Sequence, residues 1–129
     1  PSDFDTRQTR LQSLLIKALS SDPNSAMANF VMSQHVYNQV YDMEEILRDM
    51  KEDTPAEQTK KKTFATKLDQ KYEDLFTYSL KAYDLYSQNL NAETKPNCRK
   101  VVNQLITYYQ KKKQGDKVNF YQEKLSGLQ

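Results

Sequence analysis

The chain has 129 residues, enough for a single domain that buries a hydrophobic core. Only 37% of the residues are hydrophobic and 28% are charged, a balance that suits an elongated protein better than a compact enzyme. Two glycines and four prolines are too few for the many turns of β-sandwiches, β-barrels and nucleotide-binding α/β folds. The 19 basic and 17 acidic residues nearly cancel, so charge favours neither nucleic acid nor an anionic membrane as a partner.

The ends of the chain and its cysteine content set few further limits. No run of about 18 apolar residues is present, so we expect no membrane insertion. No signal peptide is recognisable, but the chain opens with Pro1 rather than methionine, which suggests that the natural N-terminus has been removed. The single cysteine, Cys98, excludes an internal disulfide and leaves the redox compartment undetermined.

Apolar residues at helical spacing predict five α-helices, of which the second and third form a long central pair. In chain order we expect the first helix at about residues 5–20 and the second from just after 24 or 25 to between 51 and 53. The third is expected at 55–87, the fourth from 96 to no later than 114, and the fifth around 118–128. Hairpin arrays contain helices in pairs. The odd number therefore suggests that the first helix is the second half of a hairpin that begins upstream.

Local start and stop signals mark the junctions between these helices. Pro23 cannot continue a helix, so the first helix ends before it. Thr54 and Glu57 form a capping box at the start of the third helix, which has a proline in its first position. We expect Gly115 to terminate the fourth helix and Asp116 to cap the fifth.

The junction after the first helix resembles a tetratricopeptide repeat, a helix-turn-helix unit of about 34 residues that ends in an alanine and a later proline. The residues that carry the resemblance are Leu11, Leu15, Ala18, Pro23, Met32, Ser33 and Val36. The last hairpin, with residues 105–109 and 122–125, resembles the C-terminal repeats of tetratricopeptide proteins from Bacteroidetes-type bacteria. Those proteins also carry a stretched penultimate hairpin.

The resemblance implies an all-α, tetratricopeptide-like fold: a right-handed stack of antiparallel helical hairpins, with about five helices and a long central pair. Residues 1–129 would then form one such domain, as a fragment of a longer chain. It also implies a bacterial periplasmic or cell-envelope location. Without the resemblance the cytoplasm is the expected compartment, and the location stays open.

We expect no catalytic, cofactor-binding or metal-binding residues. His35 has no second ligand or nucleophile three or four positions away, so we interpret it as partly buried or at a groove edge. Cys98 lies in the first turn of the fourth helix, where it is either a small structural residue or a reactive surface thiol. An acidic cluster near the end of the second helix is best interpreted as a solvated face. Its members are Glu44, Glu45, Asp49, Glu52 and Asp53.

Two lysine triplets, at residues 60–62 and 111–113, lie near helix ends. Cations are favoured at helix C-termini by the helix dipole, which accounts for the second triplet without nucleic acid. Together with the balanced net charge, this position predicts no nucleic-acid binding.

In tetratricopeptide arrays the first helix of each hairpin lines the concave surface. The resemblance therefore implies a partner groove formed by Phe30, Gln34, Tyr37, Asn38, Tyr41, Asn103, Thr107 and Gln110. Aromatic and amide side chains suit an extended peptide. We expect a non-catalytic scaffold or adaptor for a protein or peptide partner. The alternative is an accessory or oligomerisation domain of a larger envelope-associated or enzymatic assembly, which self-associates through the exposed end of the long hairpin. An enzyme with an unrecognised site ranks third.

Overall fold

The structure, a computed structural model, describes residues 3–129 apart from the side chain of Phe4. Over this range the chain forms five α-helices and no β-strand, which confirms the predicted all-α class. The helices are α1 (Asp3–Ser21), α2 (Ala26–Asp49), α3 (Pro55–Gln88), α4 (Lys95–Lys111) and α5 (Gly115–Gly127). The expectation about a removed N-terminus concerns Pro1, which lies outside the described residues. No helix within residues 3–129 is long and apolar enough to cross a membrane.

The two central helices begin at side-chain caps. The Ser25 hydroxyl accepts a hydrogen bond from the Ala28 N–H at 3.1 Å and so satisfies a donor that the first turn of α2 would leave unpaired. At α3 the Glu57 N–H donates to Thr54 Oγ1 at 3.2 Å, and the Thr54 N–H donates to Glu57 Oε1 at 3.0 Å. The predicted capping box is therefore confirmed.

Successive helices run antiparallel, and cross-helix bonds give their register. Between α2 and α3, Lys61 pairs with Glu52 at 3.4 Å, and the Lys71 Nζ donates to Gln39 Oε1 at 3.0 Å. Cross-helix hydrogen bonds show that α4 packs antiparallel on α3. It also touches α2, to which it runs parallel. Helix α1 contacts α2, and α5 contacts α4.

The core lies between the successive helices from α2 to α5. Its most deeply buried apolar residues are Leu68, Leu75, Ala82, Cys98, Val101, Val102 and Leu105. On the α5 side the core is aromatic: Tyr109 stacks on Tyr121 with ring centroids 5.7 Å apart, and Tyr83 meets Tyr121 edge-on at 5.6 Å. This packing fixes α4 between α3 and α5, and so determines which of its side chains face α2.

The turn between α4 and α5 differs from the sequence-based prediction, which was wrong about Gly115. Helix α4 ends at Lys111, and Lys113 takes the left-handed conformation with φ of 58°. The Lys113 N–H donates to Gln110 O at 3.1 Å, and the Gln114 N–H donates to Tyr109 O at 3.0 Å. These bonds form a Schellman motif, which satisfies carbonyls at the end of the helix.

Gly115 instead begins α5 and has no positive φ. Asp116 was predicted to cap α5, but it lies in the first turn, and the cap position belongs to Gln114. The acidic side chain of Asp116 still interacts favourably with the positive end of the helix dipole.

Candidate functional site

Helices α2 and α4 meet at a buried polar layer. Gln104 is 2% exposed. Its Nε2 donates to Gln34 Oε1 on α2, and its Oε1 accepts a hydrogen bond from the Ser79 hydroxyl on α3 at 2.8 Å. Buried amides are costly unless their donors and acceptors are paired. This layer therefore aligns three helices and sets the relative position of the side chains on α2 and α4.

The residues implied as a partner groove divide between core and surface. Phe30 is 8% exposed, and its ring meets Tyr86 edge-on with centroids 6.1 Å apart. The structure thus places Phe30 in the core, where it contacts α3. Asn38, Tyr41, Asn103 and Gln110 are exposed, and Gln34, Tyr37 and Thr107 are half-buried. We name these seven residues the α2–α4 face.

Tyr41 is the large side chain of the α2–α4 face that is most open to solvent, with 61% of its surface exposed. Tyr37, one turn earlier on α2, packs partly against the core. Gln34 bonds to Gln104, so its amide helps to hold the fold. On α4, Thr107 bonds within its own helix, its hydroxyl donating to the Asn103 carbonyl at 3.1 Å. Tyr41 and the amides of Asn38, Asn103 and Gln110 are the groups that a partner can reach most freely.

A cluster that we name the first clamp borders this face and consists of Glu44, Tyr72 and Lys111. The Tyr72 hydroxyl donates to Glu44 Oε1 at 2.7 Å, and Lys111 Nζ lies 3.3 Å from the same oxygen. Lys111 Nζ also lies 5.2 Å from the centroid of the Tyr72 ring. One residue from each of α2, α3 and α4 takes part, so the cluster ties the three helices together.

The second clamp consists of Glu73, Tyr108 and Lys112 and repeats the same chemistry between α3 and α4. The Tyr108 hydroxyl donates to Glu73 Oε1 at 2.9 Å, and Lys112 Nζ lies 2.7 Å from Glu73 Oε2. Lys112 Nζ is 5.5 Å from the centroid of the Tyr108 ring. The lysines at the end of α4 therefore bind carboxylates on neighbouring helices, in addition to their favourable place at a helix C-terminus.

The clamps keep their carboxylates ionised and their phenols protonated. Burial alone raises the pKa of Glu44, but the hydrogen bonds from Tyr72 and Lys111 outweigh it and lower that pKa. The hydrogen bond from Lys112 is the main cause of the lowered pKa of Glu73. Burial, and then the bond to Glu73, raises the pKa of Tyr108 to about 12. Groups with these pKa shifts are poorly matched to proton transfer near neutral pH, so their geometry is that of a structural link.

His35 is buried at 5% exposure, more completely than the sequence pattern predicts. Its Nε2–H donates to Gln12 Oε1 at 3.2 Å, and the same oxygen accepts from Gln39 Nε2 at 3.5 Å. Burial, followed by the charge of Lys71, lowers the pKa of His35. A neutral histidine in this position joins α1 to α2.

Cys98 is fully buried, and burial raises the pKa of its thiol. The direction is opposite to the lowering that a helix N-terminus can produce, so burial dominates. The position favours the interpretation of Cys98 as a small core residue. Residues 3–129 contain no group of three or more His, Cys, Asp or Glu side chains that could hold a metal ion.

A groove of about 790 Å³, which we name the distal groove, lies near the end of the long hairpin, close to the α2–α3 loop. Its lining residues are Met50, Ala56, Glu57, Thr59, Lys60, Thr63, Phe64 and Lys67. The ring of Phe64 is only half-buried. The spacing of 56, 60, 63, 64 and 67 places these residues on one helix face and was the available signal for this groove.

Comparison with known proteins adds no relative: no family model matches the sequence, and no match is found among curated proteins or solved structures. The tetratricopeptide resemblance therefore stays a prediction that rests on the residues quoted above.

Proposed function

We propose that this chain is a non-catalytic interaction module, whose helical hairpins stack as in tetratricopeptide arrays and whose α2–α4 face binds an extended segment of a protein partner. The observation that carries the proposal is the 61% exposure of Tyr41 beside the exposed amide of Asn38. Tyrosine is enriched in protein interfaces because its ring supplies apolar contact and its hydroxyl a hydrogen bond.

The arrangement of the neighbouring groups supports this use of the face. The carboxylates and lysines of the two clamps are engaged in bonds between helices, which leaves neutral amides as the accessible polar groups on the face. An extended peptide presents backbone N–H and C=O groups that side-chain amides of Asn38, Asn103 and Gln110 can pair. The polar layer at Gln104 holds α2 and α4 in a fixed relation, which lowers the ordering cost of binding.

The test selects ligands from a displayed library of random peptides and measures their affinity for the whole chain by fluorescence anisotropy. We expect Tyr41→Ala to weaken the selected peptides about tenfold or more, as for an interface hot spot. Phe120→Ala is the matched control, since Phe120 is an exposed aromatic residue on α5, 47% exposed. We expect it to leave the affinity unchanged.

Gln34 is unsuitable for this test because its side chain bonds to Gln104, and its removal would alter the fold as well as the face. Melting temperatures of Tyr41→Ala and Phe120→Ala should stay close to that of the parent chain, because 61% of Tyr41 and 47% of Phe120 is exposed to solvent. The proposed face would be refuted if substitution of Tyr41 and of the exposed amides left the affinity of the selected peptides unchanged.

A further inference from the structure

Helix α1 carries an apolar stripe that is exposed to solvent. Leu14 is 58% exposed and Leu11 is 37% exposed. Ala18, four positions after Leu14, is also exposed. Spacings of three and four positions place these side chains on one helix face, which we name the α1 stripe. Helix α1 packs on α2 through a neighbouring face, where Leu15 is buried.

The α1 stripe lies on the side of the α1–α2 pair that is opposite α3. Ile16 and Asn29 mark the α3 side, because both line a surface pocket with Tyr78 of α3. Leu14 and Met27 each come two positions before one of these two residues. Two positions are about 200° around an α-helix, so both side chains point away from α3. Met27 is 57% exposed and extends the stripe at the turn between α1 and α2.

Basic side chains border the outer edge of the α1 stripe. Arg10 and Lys17 are exposed and seven positions apart, so they lie on one side of α1, about 10 Å from each other along the axis. Within residues 3–129 the structure shows no ion pair for either side chain. Arg10 directly precedes Leu11, and Lys17 directly precedes Ala18. Charges at such flanking positions determine which helix packs on an apolar seam.

The inner edge of the α1 stripe is uncharged. It lies beside α2, where Val31 and Asn38 follow Met27 at four and eleven positions and so share its side of the helix. Val31 is half-buried and Asn38 is exposed. Acidic residues lie beyond the two ends of the stripe and are Asp3, Asp22 and Asp42. A ligand that covers the stripe therefore meets basic side chains along one edge and neutral ones along the other.

We propose that the α1 stripe binds an acidic amphipathic helix of a partner protein, which packs along α1 with its apolar face on Leu11, Leu14 and Ala18. Acidic side chains on one edge of that helix pair with Arg10 and Lys17, and its other edge lies over the uncharged part of α2. This site goes beyond the α2–α4 face, because it lies on α1, which does not contact α4 within residues 3–129.

A second copy of this chain fits the α1 stripe less well. If two α1 helices packed antiparallel, with Leu11 against the partner subunit's Leu14, Arg10 would lie opposite the partner subunit's Lys17 in both halves of the contact. Like charges at these positions disfavour the pair. An acidic helix replaces this repulsion by attraction. The contact spans about three helical turns, so the interface is small and its affinity modest.

Two synthetic peptides, each three heptads long, test the charge preference on the whole chain. Both carry leucine at the two apolar seam positions of every heptad. The acidic peptide has glutamate at all flanking positions, and the basic peptide has lysine there. Fluorescence anisotropy at chain concentrations up to about 1 mM measures both affinities. We expect the acidic peptide to bind at least tenfold more tightly, and its helicity to rise on binding.

Charge reversal on α1 locates the contact. Arg10→Glu with Lys17→Glu should reverse the preference, so that the basic peptide binds more tightly than the acidic one. Lys117→Glu with Lys124→Glu is the matched control, because these two lysines are exposed and seven positions apart on α5. The control changes the net charge by the same amount, and we expect it to leave the preference for the acidic peptide unchanged.

Leu14→Ala is a second, uncharged test. Alanine favours the helix and the leucine side chain is largely exposed, so circular dichroism should show a fold and melting temperature close to those of the parent chain. We expect the acidic peptide to bind about tenfold more weakly. An acidic peptide that does not bind at about 1 mM, or that binds unchanged after either α1 substitution, overturns the proposal. Self-association of the parent chain that Leu14→Ala abolishes in sedimentation equilibrium overturns it in favour of a second copy.

Discussion

Moving the glycine of the α4–α5 turn by two residues tests the observed position of that turn. Lys113 has φ of 58°, a region where residues with a Cβ are strained and glycine is not. Gly115 lies in the first turn of α5 with no positive φ, and a Cβ built on it meets nothing within 4 Å. We therefore expect Lys113→Gly and Gly115→Ala each to stabilise the protein.

The expected changes in the free energy of unfolding follow from the backbone conformations of residues 113 and 115. Relief of the left-handed strain is worth about 1–2 kcal/mol, from which the larger chain entropy of an unfolded glycine removes about 0.5–1 kcal/mol. Gly115→Ala should contribute about 0.4–1 kcal/mol through the reverse entropy change. The double variant should gain about 1–2 kcal/mol. With 129 residues, the unfolding entropy is about 0.27 kcal/mol/K, so the melting temperature should rise about 4–7 °C.

Thermal melts followed by circular dichroism, with urea titrations as a second measure, provide the assay. Lys113→Val is the control, because a β-branched residue fits the left-handed region worse than lysine and should lower the melting temperature. If Gly115→Ala were destabilising while Lys113→Gly had no effect, the turn would follow the sequence-based prediction, and the reasoning from φ would be refuted.

Three further predictions concern the residues of the two clamps and Cys98. Burial and the bonds to carboxylates raise the pKa of Tyr72, and they raise the pKa of Tyr108 to about 12. The free energy of unfolding should therefore fall as pH rises from about 10 toward 12, because only the unfolded chain releases these protons in that range. Urea titrations at several pH values measure this fall, and Tyr72→Phe should reduce it. The lowered pKa of Glu44 and Glu73 contributes stability above the ordinary value of 4.5 that is lost as pH falls through the folded-state pKa, and Glu44→Gln should reduce this acid-side loss in the same titrations. The Cys98 thiol should react with Ellman's reagent only when urea unfolds the chain, and fast reaction in native buffer would contradict its burial.

The helices could be predicted from the sequence because their signals are local. The spacing of apolar residues and the Thr54–Glu57 capping box act within one or two turns, and the observed helix bounds follow them closely. The position of the α4–α5 turn was predicted wrongly for the same reason. Glycine is the commonest residue at the left-handed position of the Schellman motif, so the sequence favoured Gly115 for it. In the structure, the hydrogen bonds to the carbonyls of Gln110 and Tyr109 place Lys113 at that position.

The candidate site was less predictable because its bonds join residues far apart in the chain. From the sequence, Glu44 was interpreted as part of a solvated face. In the structure it bonds to Tyr72, 28 positions away, and to Lys111, 67 positions away. Gln104 and Gln34 are 70 positions apart. Helical periodicity indicates which residues are buried, but it does not say which polar groups meet across helices.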